Sequence, residues 1–266
     1  MSPTVITALL VGSLVAGWVD AVVGGGGLIL VPLVMILNPG FSNAQALGTN
    51  KVAAMFGTAS SAFTLARKIP SAKSALTYSP MALLGAGIGA LIASSVDKQI
   101  MRPIIIVLLV AVGTFVLLRP SFGQASTTAK NTQPASNNAS AVRQRFIGTM
   151  ALVGGIGVYD GAFGPGTGLF LIMGFTTLLN QDFLTSAAWA KIVNVCTNVG
   201  ALVVFAWQGE VLWMLGLALA ITNVIGAQIG ARMVLARGSS FVRIVILVVV
   251  VAMAGKLALD QFGLMG

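Results

Sequence analysis

Four ionisable side chains interrupt otherwise apolar sequence: Asp20, Lys51, Asp160 and Lys191. An ionisable group inside a membrane segment is costly, and it is kept where it handles a substrate, an ion or a proton. Two ammonium groups suit a small anion. A carboxylate in the same place suits proton coupling. Two carboxylates sharing one proton would instead be the machinery of an intramembrane aspartyl protease. The plainest reading is structural: a salt bridge inside each half of the chain, Asp20 with Lys51 and Asp160 with Lys191, pinning one element to the next.

Neutral polar groups surround the lysines. Thr49 and Asn50 precede Lys51, while Asn194 and Asn198 follow Lys191 at i+3 and i+7. That spacing puts Lys191, Asn194 and Asn198 on one helical face, which is expected to line a cavity. Asparagine amides donate to oxyanions without adding charge. Asn223 and Gln228 have the weaker claim and fit interhelical hydrogen bonding. Two glycine-rich breaks add a second signal, Gly24-Gly25-Gly26-Gly27 and Gly164-Pro165-Gly166-Thr167-Gly168. Helices restarting after Gly27 and Gly168 would present free N–H groups and a positive dipole end, a ready anion site. The expected substrate-binding set is therefore Gly26, Gly27, Thr49, Asn50, Lys51, Gly166, Thr167, Gly168, Lys191, Asn194 and Asn198. Asp20 and Asp160 are coupling or structural charges. Gly85, Gly89, Gly226 and Gly230 read as close-packing positions. With no histidine and one cysteine, Cys196, neither a metal site nor a disulfide framework is expected, and no cofactor. Cys196 reads as a small apolar group.

These residues need a membrane around them. Of the 266 residues 57% are apolar and 8% charged, against about 25% charged in a soluble domain. A soluble enzyme and a disordered chain are both excluded. The net charge of +9 does not point to nucleic acid, because most basic residues lie between apolar runs, as in loops that orient a membrane protein. No basic stretch precedes the first apolar run, so a cleaved signal peptide is not expected. A bilayer core of about 30 Å needs about 20 apolar residues in a helix. Candidate segments are residues 5–37, 44–66, 74–96, 103–118, 146–179, 185–207, 211–231 and 244–259. Segments 5–37 and 146–179 are too long for one crossing and too short for two, and each holds a glycine break. Each reads as two shorter helices around an unwound turn, which membranes tolerate only where protein or a cavity surrounds it. Residues 119–145 form a polar linker, expected to be flexible, between a first membrane repeat (1–118) and a second (146–266).

The two halves read as copies. Gly17-Trp18-Val19-Asp20 aligns with Gly157-Val158-Tyr159-Asp160, Lys51 with Lys191, Gly85 to Ala90 with Gly226 to Ala231, and Arg102 with Arg243, all at an offset of 140 or 141. Internal duplication is a common build for transporters. Basic loops alternate between the copies: Arg67, Lys68 and Lys73 in the first half match Gln208-Gly209-Glu210, while Arg232, Arg237 and Arg243 match a nearly balanced loop. The expectation is an all-α polytopic protein of two inverted repeats, each a glycine-broken, re-entrant first segment followed by three transmembrane helices. The linker is then cytoplasmic and both termini are extracytoplasmic. Eight full crossings are the alternative.

The chain resembles the sulfite exporter TauE/SafE family, also called the four-TMS-duplication sulfite permease family. The resemblance spans nearly all of the sequence outside the linker. It is most specific in the run from Tyr159 to Gly168, then Ala190-Lys191, Asn194 and Asn198; the first half adds Asp20, the glycine run, Pro32 and Gly48-Thr49-Asn50-Lys51. It implies a secondary transporter, not an enzyme, for export or uptake of sulfite, sulfonates or related sulfur-containing anions across a bacterial-type inner membrane, with export of sulfite or an organosulfonate as the favoured reading. It also implies about eight spans. An anion leaving an inside-negative cell gains about 2.3 kcal/mol per charge per 100 mV, so export needs no further coupling. If it is coupled, Asp20 or Asp160 carries the proton. No nucleotide-binding P-loop is present. Partners are a small anion and the lipid bilayer, with a homodimer as the assembly that glycine-rich helix faces would allow.

Overall fold

Local signals set the helix ends. Ser2 caps α1 (Pro3–Val23), accepting from the Val5 N–H at 3.3 Å, with proline in the first turn. Ser42 and Gln45 form a reciprocal capping box at the start of α3 (Asn43–Lys68). Asp182 caps α7 (Phe183–Trp207) by accepting from the Thr185 N–H at 2.9 Å. The remaining elements are α2 (Gly27–Leu37), a 3-10 stretch over Pro70–Tyr78, α4 (Ser79–Ser95), α5 (Ala139–Ala162), α6 (Thr167–Leu178) and α8 (Trp213–Gln261). This computed structural model describes residues 1–96, 107 and 139–261, and it is helical without strand among them.

Both glycine-rich stretches break their helices as expected. Gly24 ends α1 at φ 84°, and Gly166 opens α6 at φ 81°, a region where a Cβ costs roughly 1–2 kcal/mol. After each break the chain doubles back. Leu33 of α2 lies against Gly12 of α1, and Leu152 of α5 lies against Gly174 of α6. The limbs are unequal, 21 and 11 residues in the first hairpin, 24 and 12 in the second.

Contact registers give the helix directions. Between α1 and α8, Ser13 meets Leu219 and Asn223, and Trp18 meets Gly230 and Met233. Numbers rise together, so the two helices run in the same direction. Val52 meets Gly216 and Thr64 meets Gln228, so α3 runs with them. By the same test α4, α5 and α7 are parallel: Gly85 meets Gly154 and Gly89 meets Val158, while Leu83 meets Gly200 and Ser94 meets Gln208. The two sets run opposite ways, since Gly48 near the start of α3 touches Phe205 and Glu210 at the end of α7. Helix directions thus group α1, α3 and α8 against α4, α5 and α7.

Small residues make this packing close. Gly85 and Gly89 sit on the α5 backbone, and Gly226 and Gly230 on that of α1, as the sequence suggested. Asn223 donates to the Ser13 carbonyl at 3.0 Å and Gln228 to that of Ser60 at 3.0 Å, again interhelical. Cys196 packs against the apolar core.

Pro3–Val23, Pro70–Ser95, Phe183–Trp207 and Trp213–Gly238 are each long and apolar enough to cross a membrane. Apolar side chains such as Phe63, Leu84, Val203 and Ile221 face outward, toward what would be lipid. The directions above bring Arg67, Lys68, Lys73, Arg143, Arg145, Arg232 and Arg237 to one end of the bundle. Tyr78 marks that end, in contact with Phe146, Phe175 and Trp189 at 5.9 to 6.0 Å. Exposed Trp207 and Trp213 stand at the opposite end, the pattern of an interfacial aromatic belt.

Two sequence boundaries are corrected. Segments 211–231 and 244–259 are two helices, as expected, but they meet at a kink, where Gly238 (φ 67°, ψ −161°) is non-helical. The first of them runs on past residue 231 to that glycine, because Arg232 to Arg237 are good helix formers. The linker also ends early, since α5 begins at Ala139 rather than near residue 146. Segment 103–118, apart from Val107, and most of the linker lie outside the described residues.

Candidate functional site

The two breaks cross each other. Gly168 donates its N–H to the Gly24 carbonyl at 3.0 Å, and a Cβ on either glycine would overlap the backbone of the other. α3 and α7 pass beside this crossing and deliver the lysines. The ion pairs are exchanged between the halves. Lys51 Nζ is 2.7 Å from Asp160 Oδ2, and Lys191 Nζ is 2.9 Å from Asp20 Oδ2. The salt bridges expected within each half are therefore not formed. The reason is geometric: α3 and α7 run antiparallel past the crossing, so each lysine reaches the other half's aspartate.

Each buried pair has additional hydrogen bonds, without which a buried ion pair does not offset its desolvation. Asp20 Oδ2 accepts from Thr58 Oγ1 at 3.0 Å, and Oδ1 from the Gly26 N–H at 3.4 Å. Lys191 also donates to the Asp20 carbonyl. Asp160 Oδ1 accepts from Thr167 Oγ1 at 2.7 Å. That hydroxyl lies 2.9 Å from the Gly164 carbonyl as well.

A small cavity, open on one side, lies between these groups. Asp20, Gly27, Asn50, Lys51, Asp160, Thr167, Asn194 and Asn198 line it, all of them singled out from sequence. Gly24, Ala54 and Gly164 line it too and were missed. Ala54 had a usable signal, because it stands one turn after Asn50 and in register with Asn194. Gly26, Thr49, Gly166, Gly168 and Lys191 are not part of the lining. Thr49 accepts from the Leu212 N–H at 3.2 Å and ties down the turn before α8. Gly168 is consumed by the crossing, and Lys191 by Asp20. Lys191 shares a helical face with Asn194 and Asn198, but its ammonium turns to Asp20, which lines the cavity in its place.

The four charges sum to zero, so lysine charge alone does not make the cavity positive. What it offers to an anion is a set of unused donors. Asn50 and Asn198 are 4% and 3% exposed and have no hydrogen-bond partner among the described residues. Asn194 accepts from Thr197 at 3.1 Å, leaving its NH₂ unengaged. The N–H groups of Gly27 and Thr167, the first residues of α2 and α6, are unpaired among the described residues. An ammonium has three donors, and Lys51 spends one on Asp160.

A multi-pass helical bundle with broken helices, buried charges and a small polar cavity is the build of a membrane transporter. The chain belongs to the sulfite exporter TauE/SafE family, which residues 9–257 match. It is 36% identical to the "Probable membrane transporter protein ORF9" of Sinorhizobium sp over 95% of this chain and 92% of that one. It is 32% identical to "Probable membrane transporter protein YfcA" of Escherichia coli (strain K12), covering 99% and 93%. A "Probable membrane transporter protein" of Haemophilus influenzae is 31% identical, covering 93% and 92%. No solved structure matches. The family and these relatives are transporters, in keeping with a non-enzyme. The aspartyl-protease alternative gains no support, because each carboxylate is held by a lysine.

Proposed function

We propose that this protein exports a small sulfur-containing oxyanion, sulfite or an organosulfonate, across the plasma membrane as a secondary transporter. The observation that carries the reading is the cavity between the crossed breaks, whose lining brings unengaged donors together: the Lys51 ammonium, the NH₂ groups of Asn50, Asn194 and Asn198, and the first N–H groups of α2 and α6. An oxyanion has several acceptor oxygens and can take them together.

The antiparallel grouping of the helices supports two inverted repeats, each opened by a re-entrant hairpin. Transport then moves the hairpins or their flanking helices against the remainder, exposing the cavity to each side in turn. The basic end is cytoplasmic by the positive-inside rule, and it takes the linker with it. Both termini are then outside. In a Cys196→Ala background, a cysteine at Ser2 is expected to react with an impermeant maleimide on intact cells. One at Ser71 should react only after permeabilisation. The opposite pattern overturns the orientation.

The function is tested by labelled sulfite flux in proteoliposomes. Flux above protein-free vesicles is expected, and its absence overturns the reading. Asn50→Ala and Asn198→Ala should each weaken half-saturation by roughly tenfold or more, since a hydrogen bond to a charged group contributes about 1.5–3 kcal/mol.

A further inference from the structure

The two ion pairs differ in what surrounds them, and the difference assigns the proton. We infer that Asp160 is the proton carrier, and that its proton travels with the anion bound at Lys51. This rests on the transport reading above and goes beyond it by naming the coupling residue and the net charge moved.

Asp160 has a partner that works in both protonation states. With the carboxylate ionised, Thr167 donates to Oδ1 at 2.7 Å. When a proton arrives on Oδ1, the carboxyl donates to Thr167 Oγ1, and the threonine hydrogen turns to the Gly164 carbonyl, already at 2.9 Å. Only a hydroxyl rotates. Asp20 also meets a threonine hydroxyl, Thr58, but on Oδ2, the oxygen that Lys191 holds, and not on its other oxygen. Its Oδ1 faces the Gly26 N–H, which can donate but not accept.

The two lysines also respond differently. Protonating Asp160 removes the counter-charge of Lys51, which lines the cavity, and leaves only a neutral carbonyl oxygen at Oδ2. Protonating Asp20 would leave Lys191 still bound to the Asp20 carbonyl and outside the lining. Other charged and titratable groups near Asp160 are accounted for. Asp20 and Lys191 neutralise each other across the cavity. Tyr159 donates its hydroxyl to the Pro165 carbonyl at 2.6 Å. The α6 hairpin brings Thr167 and no charge, and α4, packed along α5, has no charged residue.

The balance is simple. The empty site has two carboxylates and two ammonium groups and is neutral. A proton from the aqueous side goes to Asp160 Oδ1, Lys51 is released, and one monovalent anion takes the ammonium. The loaded site is again neutral. On the far side the anion leaves, the proton leaves Asp160, and Lys51 returns to Oδ2. One proton and one negative charge cross together, so membrane potential does no work on the cycle. A pH difference does, and export from a cell then runs on the anion's own concentration gradient and not on the membrane potential.

The test uses the full chain in proteoliposomes with labelled sulfite, buffered on the acid side of neutrality where the bisulfite monoanion dominates. A potassium diffusion potential, inside positive, should leave accumulation by the unaltered protein unchanged. A pH gradient should drive it by about tenfold per unit. In Asp160→Asn no proton is carried and each anion moves one charge. That variant should lose the response to pH and gain potential-driven accumulation, up to about 50-fold at 100 mV. Asp20→Asn should keep its response to pH. Potential-driven accumulation by the unaltered protein, or an Asp160→Asn variant that still follows pH, overturns the inference and leaves the transport reading standing. No sulfite flux at all overturns both. If Asp160→Asn does not assemble, the unaltered protein decides, with Thr167→Val expected to slow pH-driven flux and Thr167→Ser to restore it.

Discussion

Lys51→Ala reduces sulfite flux to background and destabilises the bundle by about 3–5 kcal/mol, the cost of leaving a buried charge without its partner. Asp160 is 2% exposed and has only the Thr167 hydroxyl left to hold it. The double variant Lys51→Ala with Asp160→Ala removes both charges together. It should recover most of the stability, because a buried pair replaced as a unit is often neutral. Flux stays at background, since the cavity ammonium is gone. Thermal unfolding in detergent and vesicle flux, measured on the same preparations, separate the two losses. Lys191→Met is the comparison. It should lose comparable stability yet retain measurable flux, because Lys191 lies outside the cavity lining. Equal, complete loss of flux in well-folded samples of both would overturn this division of labour.

Gly168→Val is expected to be worse than an ordinary overpacked core, which costs about 1–3 kcal/mol. Here the obstacle is backbone: a Cβ at Gly168 would overlap Gly24, and no side chain can rotate away. The hydrogen bond from the Gly168 N–H to the Gly24 carbonyl would be lost with it. Both hairpins must separate, and the cavity between them goes too. Flux should vanish and the melting temperature fall sharply. Gly155→Ala is the control, because nothing lies within 4 Å of its added methyl. It should change stability by no more than about 0.5 kcal/mol. A Gly168→Val protein with normal melting would mean that the crossing is not formed.

The sequence was most legible where composition and glycine punctuation acted alone. Four consecutive glycines cannot sustain a membrane helix, and the break at Gly24 to Gly26 follows. The polar residues around Lys51 and Lys191 cost too much in lipid to be idle, and Asn50, Asn194 and Asn198 do reach the cavity. Pairing was not legible. Asp20 lies closer in sequence to Lys51, and spacing cannot reveal that α3 and α7 pass in opposite directions. The same blindness made Lys191 look like a cavity ligand, since its face was known but not what stood opposite. Hydropathy also underrates α3, because the Thr49, Asn50 and Lys51 that equip the site lower its apolar score. At Gly238, the arginines on both sides suggest a loop, whereas the dihedral angles show two helices meeting at that one residue.

The exchange of lysines has a consequence for how the chain is made. As the first half leaves the ribosome and enters the bilayer, Asp20 and Lys51 are both present and neither has its final counter-ion. They are neutralised only when α5 and α7 arrive, more than a hundred residues later. The early half therefore cannot close on itself as a finished unit. Insertion and maturation are tied to completion of the polypeptide, and a truncated product would be left with exposed charges in lipid, a signature that membrane quality control can read.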